Sequence, residues 1–233
     1  MRHKDRAHYD VLVGMKNVRV AYGETVIFEN INWEIRPGDC WALSGPNGSG
    51  KSTLLALING DHPQAYANDI VLFDVKRGSG ESIWDIKRKI GFMSPELFQY
   101  FPYHFTGVQV VESGFYDTIG LIGHSRPDNR EIAERWMDVM GLSEVRGVRL
   151  ADMPATRQRL CLLARAMVKN PHLLLLDEPC LGFDRHQQER FKHLVDAMAK
   201  IADFGLVYVT HHQETLPECI NKTLSLGHLQ MTP

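Results

Sequence analysis

Apolar and polar positions alternate between residues 11 and 35, with Val11, Val13, Val18, Val20, Ile31, Trp33 and Ile35 on the apolar beat. A period of two belongs to strands that bury one face, so this stretch predicts antiparallel strands. Pro37-Gly38-Asp39 reads as a turn feeding a buried strand at Cys40–Ser44. Further strands are expected at Asp69–Phe73 and Ile90–Met93. From about residue 97 to 165 the period becomes helical. Ile132, Ala133, Trp136, Met137 and Met140 share one face, a pattern that predicts core packing, and Gly141 is a stop signal. Leu173–Leu176 is apolar throughout, as a strand covered on both faces must be. A helix over 185–201 and a strand over Leu206–Thr210 follow, and no internal repeat or low-complexity tract breaks the pattern. Strands and helices together predict an α/β chain, with antiparallel strands first, a helical stretch at about 97–165, and a strand covered by helices after it.

Between the strand at Cys40–Ser44 and a helix begun by Thr53–Ile58 lies Gly45-Pro46-Asn47-Gly48-Ser49-Gly50-Lys51-Ser52-Thr53, which spells G-x-x-x-x-G-K-[ST]. Glycines at these places let successive backbone N–H groups curl around phosphates, Lys51 adds a point charge for the β/γ-phosphates, and Ser52 offers a hydroxyl to Mg²⁺. The helix N-terminus adds a dipole favourable to anions. A nucleoside triphosphate, ATP or GTP, is the expected ligand. No N-K-x-D segment that would read guanine occurs, which argues against a GTPase. Leu173–Leu176 ends in Asp177-Glu178. Asp177 is expected at Mg²⁺ beside the γ-phosphate, and Glu178 supplies a second carboxylate able to orient or deprotonate an attacking water.

Composition narrows the picture further. With 233 residues, 44% of them hydrophobic, the chain can bury one substantial core, so one domain over 1–233 is expected. A formal net charge of −2 and the lack of a Lys/Arg stripe give no sign of direct nucleic-acid binding. Cys40, Cys161, Cys180 and Cys219 stand far apart with no CxxC pair, so reduced, mostly packed thiols are expected. No apolar run of membrane-spanning length appears, and a cytoplasmic place is expected, with a peripheral one at the inner face of the membrane left open.

Beyond the phosphate loop, Arg165-Ala166-Met167-Val168-Lys169-Asn170-Pro171 and Leu173–Pro179 are similar to the ARAL-x-x-x-P-x-LLLLDEP run of ATP-binding cassette ATPases. Leu181-Gly182-Phe183-Asp184 resembles their D-loop and Val209-Thr210-His211 their switch-histidine segment. The resemblance, which covers nearly the whole chain, implies a P-loop NTPase fold of cassette type with an inserted helical subdomain at about 97–165. It implies ATP and Mg²⁺ as ligands and a second cassette as partner, in a homodimer or with a different cassette, while a membrane permease stays open as a further partner. By the same resemblance Tyr22, in Ala21-Tyr22-Gly23, would stack on adenine, and His211 would contact the γ-phosphate and the water oriented by Glu178. Ser94-Pro95-Glu96-Leu97 and Thr210-His211-His212-Gln213-Glu214 look most like soluble cassettes associated with molybdate transport or photorepair.

Two departures stand out. The LSGGQ signature should fall at Met153-Pro154-Ala155-Thr156-Arg157, where almost nothing of it survives. Pro154 brings neither hydroxyl nor N–H, and Ala155 and Thr156 carry side chains where close backbone approach calls for glycine. Arg157 could restore a positive charge. Pro95 holds the place of the Q-loop glutamine, and the neighbouring Glu96 is not expected to reach the metal or water. These losses leave two functions in play: a Mg-dependent ATPase, slow in isolation, that drives a conformational cycle with a partner, and an ATP-binding regulatory switch with weak turnover.

Overall fold

The computed structural model describes residues 7–117, 125–211 and 213–227. Strands β1 (Val13–Tyr22) and β2 (Thr25–Ile35) pair antiparallel and confirm the alternation read from the sequence: Val13, Met15, Val18, Val20, Trp33 and Ile35 are buried while their neighbours face outward. β3 (Cys40–Ser44) leads into α1 (Lys51–Asn59) through the phosphate loop. β4 (Asp69–Leu72) pairs antiparallel with β1 and with the short β5 (Val75–Lys76), giving a four-stranded sheet in the order β2-β1-β4-β5. The strand expected through Phe73 stops at Leu72, because Phe73 and Asp74 turn to positive φ.

After α2 (Ile83–Lys87) comes β6 (Ile90–Met93), at the bounds the sequence suggested. The helical stretch holds α3 (Gly107–Glu112), α4 (Pro127–Val139) and α5 (Ala155–Met167), with 3-10 turns between them. Gly141 ends α4 as expected, at φ 67. The chain then runs through β7 (Leu173–Asp177), α6 (Arg185–Ile201), β8 (Gly205–Val209) and β9 (Lys222–Ser225). All neighbours in the second sheet are parallel, in the order β6-β7-β8-β3-β9.

Period two in β7 divides the core. Leu173 and Leu175 pack with α1 and the antiparallel sheet, whereas Leu174 and Leu176 pack with α3, α4, α5 and α6. All four leucines are fully buried. Full burial of one such side chain contributes about 1.5–3 kcal/mol, so this strand anchors both layers at once. Its carboxyl end is therefore a rigid platform for Asp177 and Glu178. The four cysteines are free thiols, three buried and Cys219 half-buried, as expected. Among the described residues no helix is long and apolar enough to cross a membrane.

Candidate nucleotide site

Four parallel strands release their carboxyl ends toward one cleft, the place where open α/β sheets bind ligands. β3 delivers the loop Gly45–Gly50, β6 delivers Pro95 and Glu96, β7 delivers Asp177 and Glu178, and β8 leads to His211. The cleft holds about 500 Å³ and is lined by Asn47, Gly48, Gly50, Lys51, Ser52 and Thr53 from the loop, by those residues from the other strands, and by Ile27 and Leu181. So the structure brings together Lys51, Ser52, Asp177, Glu178 and His211, five residues selected from sequence.

Close approach of neighbouring groups accounts for two of the loop's glycines. A Cβ on Gly45 would lie 2.5 Å from the carbonyl oxygen of Leu226, with φ at 149. Gly50 caps α1 at φ 90, and a Cβ there would meet Ile27 and Phe28 at 2.7 Å. The loop is thus pressed against β2 on one side and the segment after β9 on the other. Lys51 is buried, and its ammonium donates to the carbonyl oxygens of Gly45 (2.8 Å) and Pro46 (2.9 Å), closing the loop into a ring. Burial pulls its pKa below the ordinary lysine value, against the opposing charges of Glu178 and Asp177. Ser49 is buried and its hydroxyl has no hydrogen-bond partner.

Across the cleft, burial pushes the Asp177 carboxyl from 3.8 up to about 6, helped by the charges of Glu178 and Glu96 and opposed by Lys51 and a hydrogen bond from Ser52. Glu178 takes φ 42, a strained conformation of the kind that clusters at functional sites. It is held there by its N–H donating to Val209 (3.0 Å) and its carbonyl accepting from Leu181 (3.1 Å). His211 brings Nε2 to 3.2 Å from Glu178 Oε1, and that oxygen, shielded from solvent, has no hydrogen bond among the described residues. Three carboxylates therefore face a single lysine whose ammonium is already engaged. No cluster of three acidic, histidine or cysteine side chains among the described residues is arranged to hold a metal, but the Ser52 hydroxyl bonded to the Asp177 carboxyl pairs two hard oxygen donors, which fits Mg²⁺, a cation that takes one or two protein ligands beside water and phosphate.

Glu96 lines the cleft, and its charge helps to raise the Asp177 pKa. Tyr22 stands apart, exposed at the tip of the β1–β2 hairpin and outside the residues that line the cleft, although the same hairpin contributes Ile27 to the wall. At the signature position, Pro154 caps α5 and Arg157 bonds the Gly141 carbonyl and the Glu144 carboxylate, so its charge is spent within the helical region. Asp184, of the D-loop segment, forms a capping box with Gln187 at the start of α6. His212 lies outside the described residues.

The family model for ABC transporters matches residues 28–181, from the middle of β2 to the segment after β7. The chain belongs to the ABC transporter family. ATP binding and hydrolysis is the activity of that family's cassette. Its relatives include the ABC transporter ATP-binding protein ModF of Escherichia coli, 40% identical over 215 residues, and an uncharacterized ABC transporter ATP-binding protein of Schizosaccharomyces pombe, 32% identical over 213. These alignments cover 90% and 91% of the chain but only 43% of each relative. The zinc uptake system ATP-binding protein ZurA of Listeria innocua is 30% identical over 93% of the chain and 82% of its own length. Among solved structures, the dimeric bacterial ABC transporter cassette MJ0796 superposes with a TM-score of 0.78 at 24% identity, over 92% of this chain and 94% of that one. A dimeric post-hydrolysis state of MJ0796 with ADP and Pi gives 0.73 at 25% identity, over 87% and 89%.

Proposed function

We propose that the chain works as one cassette unit, a Mg-dependent ATPase that drives a conformational cycle against a second cassette. The convergence of the phosphate loop, the Asp177-Glu178 pair and His211 on one cleft carries this reading. In it the loop amides from Gly45 to Thr53 and the Lys51 ammonium hold the phosphates, Lys51 exchanging its two carbonyl partners for phosphate oxygens. Ser52 and Asp177 would hold Mg²⁺, which would supply charge neutralisation to the phosphates. The Glu178 carboxylate, at the cleft wall, accepts a hydrogen bond from the attacking water and takes its proton. His211 donates to the γ-phosphate and stabilises its developing charge. Tyr22 stacks on adenine.

Single-turnover hydrolysis alongside nucleotide binding tests this assignment. Glu178→Gln keeps ATP affinity and removes most hydrolysis, because an amide cannot take the proton, and His211→Ala acts in the same direction. Unchanged hydrolysis in Glu178→Gln would sink the assignment and turn attention to Glu96.

One observation favours a second reading, an ATP-binding switch with little turnover. A γ-phosphate bound to another cassette would meet Pro154 and Ala155, while Arg157 is held by Glu144 and Gly141. Pairing with a cassette that carries an intact signature reconciles the two, since the partner then completes this chain's site. Hydrolysis absent from the wild type both alone and with its native partner selects the switch.

A further inference from the structure

Tyr22 is 55% exposed, and an exposed tyrosine at a hairpin tip ordinarily samples several rotamers. Here its hydroxyl is fixed. Tyr22 Oη lies 2.7 Å from Nε2 of His62, and the two rings meet edge to face, 6.0 Å apart at 61°. His62 is itself buried, 8% exposed, and caps the 3-10 turn Pro63–Ala67: its Nδ1 accepts from the Gln64 N–H at 3.2 Å. With Nδ1 accepting, the ring proton sits on Nε2, so His62 donates and the Tyr22 oxygen accepts.

The same turn grips the backbone of β1. Gln64 donates to the carbonyl of Ala21 (2.8 Å) and accepts from its N–H (3.3 Å), and Asn68 does the same for Arg19, at 3.0 and 2.8 Å. Those four bonds place the main chain that carries Tyr22. They leave its ring free to turn, and the His62 bond removes that freedom. His62 also follows directly on Gly60 and Asp61, at the end of the helix that begins at Lys51. The helix Lys51–Asn59 thus starts at the phosphate loop and stops three residues short of the side chain that holds Tyr22.

Resting on the reading that Tyr22 stacks on adenine, we propose that His62 is a positioning residue for the base: it locks the Tyr22 ring before nucleotide arrives, so that the ring need not be ordered on binding. Losing a lock of this kind costs the ordering of one rotamer-rich side chain, about three- to tenfold in affinity. Loss of the whole stacking partner costs more, about five- to a hundredfold.

The test compares Mg-ATP with Mg-tripolyphosphate, which carries no base, by calorimetric titration of wild type, Tyr22→Phe, His62→Asn, the double variant and Tyr22→Ala. Tyr22→Phe keeps the ring and drops the acceptor. His62→Asn keeps a short side-chain acceptor for the Gln64 N–H but cannot reach Tyr22. Tripolyphosphate affinity is expected to be the same in all five. ATP affinity is expected to fall three- to tenfold in each of the two subtle variants, no further in the double variant, and most in Tyr22→Ala. Wild-type ATP affinity in Tyr22→Phe and His62→Asn, with Tyr22→Ala still weakened, overturns the positioning role and leaves the stacking reading intact. Additive losses in the double variant, or tripolyphosphate affinity falling in parallel, also overturn it. Wild-type ATP affinity in Tyr22→Ala removes the stacking reading and the lock together. Should His62→Asn fail to fold, Tyr22→Phe at its exposed position decides alone.

Discussion

Replacing Asp177 by Asn should make the nucleotide-free protein more stable at neutral pH, at the expense of Mg-ATP binding. The folded chain holds this carboxyl at about 6 against 3.8 when free, because burial and the charges of Glu178 and Glu96 disfavour its ionised form. An acid whose pKa rises on folding contributes stability that is fully present below its unfolded value and is lost as pH climbs through the folded one. Each pH unit in that window is worth about 1.4 kcal/mol, so wild type loses about 3 kcal/mol from this group between roughly pH 4 and 6. Asn fills the same volume, can still accept from Ser52, and carries no charge. In EDTA the two proteins should therefore melt together near pH 4 and diverge above it, the variant leading by about 6–12 °C at pH 7.5, at 2–4 °C per kcal/mol. Mg-ATP at a thousand times the wild-type Kd should reverse the order, since wild type then gains about 4.1 kcal/mol, more than its deficit of about 3 kcal/mol, and the variant lacks the carboxylate that holds the metal. Melts across pH 4 to 8, with and without Mg-ATP, read both effects. A constant offset between the two proteins over the whole range, or wild type ahead at pH 7.5 in EDTA, would refute the account of a site loaded with charge in advance of its cation.

Mg-ATP at a hundred times its Kd should raise the wild-type melting temperature by about 5–10 °C, and Lys51→Ala should abolish the rise; equal shifts in both proteins would remove the phosphate loop from the account. Gly45→Ala should destabilise the apo protein by about 1–3 kcal/mol and abolish ATP binding, because a Cβ there sits 2.5 Å from the Leu226 carbonyl oxygen; calorimetry checks both. Steady-state phosphate release by the chain alone should stay below about 1 s⁻¹, under the ordinary enzyme range, given Pro154 and Ala155 at the signature. Thiol labelling of the native protein should leave Cys161 unreacted at pH 8, as burial pushes it up to about 12, and mass mapping of the labelled sites would show otherwise.

Elements whose stability comes from their own pattern were legible in the sequence. β7 could be placed because a short run of four leucines suits a strand buried on both faces, and α6 was expected over 185–201, the bounds it has. β9 could not be placed. Lys222–Ser225 offers one half-buried residue, Leu224, and its strand conformation is imposed by pairing with β3, a partner some 180 residues away. Gly107–Glu112 is likewise too short to show a helical period, and packing against α4 and α5 holds it. His62 gave no signal, since its role depends on a hydroxyl 40 positions distant.

The placement of Glu96 was within reach of the sequence and was lost for one missing step. Pro95 holds the glutamine position, and its neighbour Glu96 was not expected to reach the metal or the water. Parallel pairing argues otherwise. Ile90–Met93 lies beside Leu173–Leu176 in register, Met93 against Leu176, so the residues that follow Met93 must leave the sheet beside those that follow Leu176. These are Ser94, Pro95 and Glu96 on one strand and Asp177 and Glu178 on the other. Once both segments are read as neighbouring strands of one parallel sheet, chain direction alone puts all three carboxylates at the same edge. The missing inference was the adjacency of β6 and β7, which no local pattern encodes. Direction of an exit can be deduced from register, but strand order rests on pairing between segments far apart in sequence, here β6 and β8 on the two edges of β7; face burial marks β7 as a central strand and leaves open which strands lie beside it.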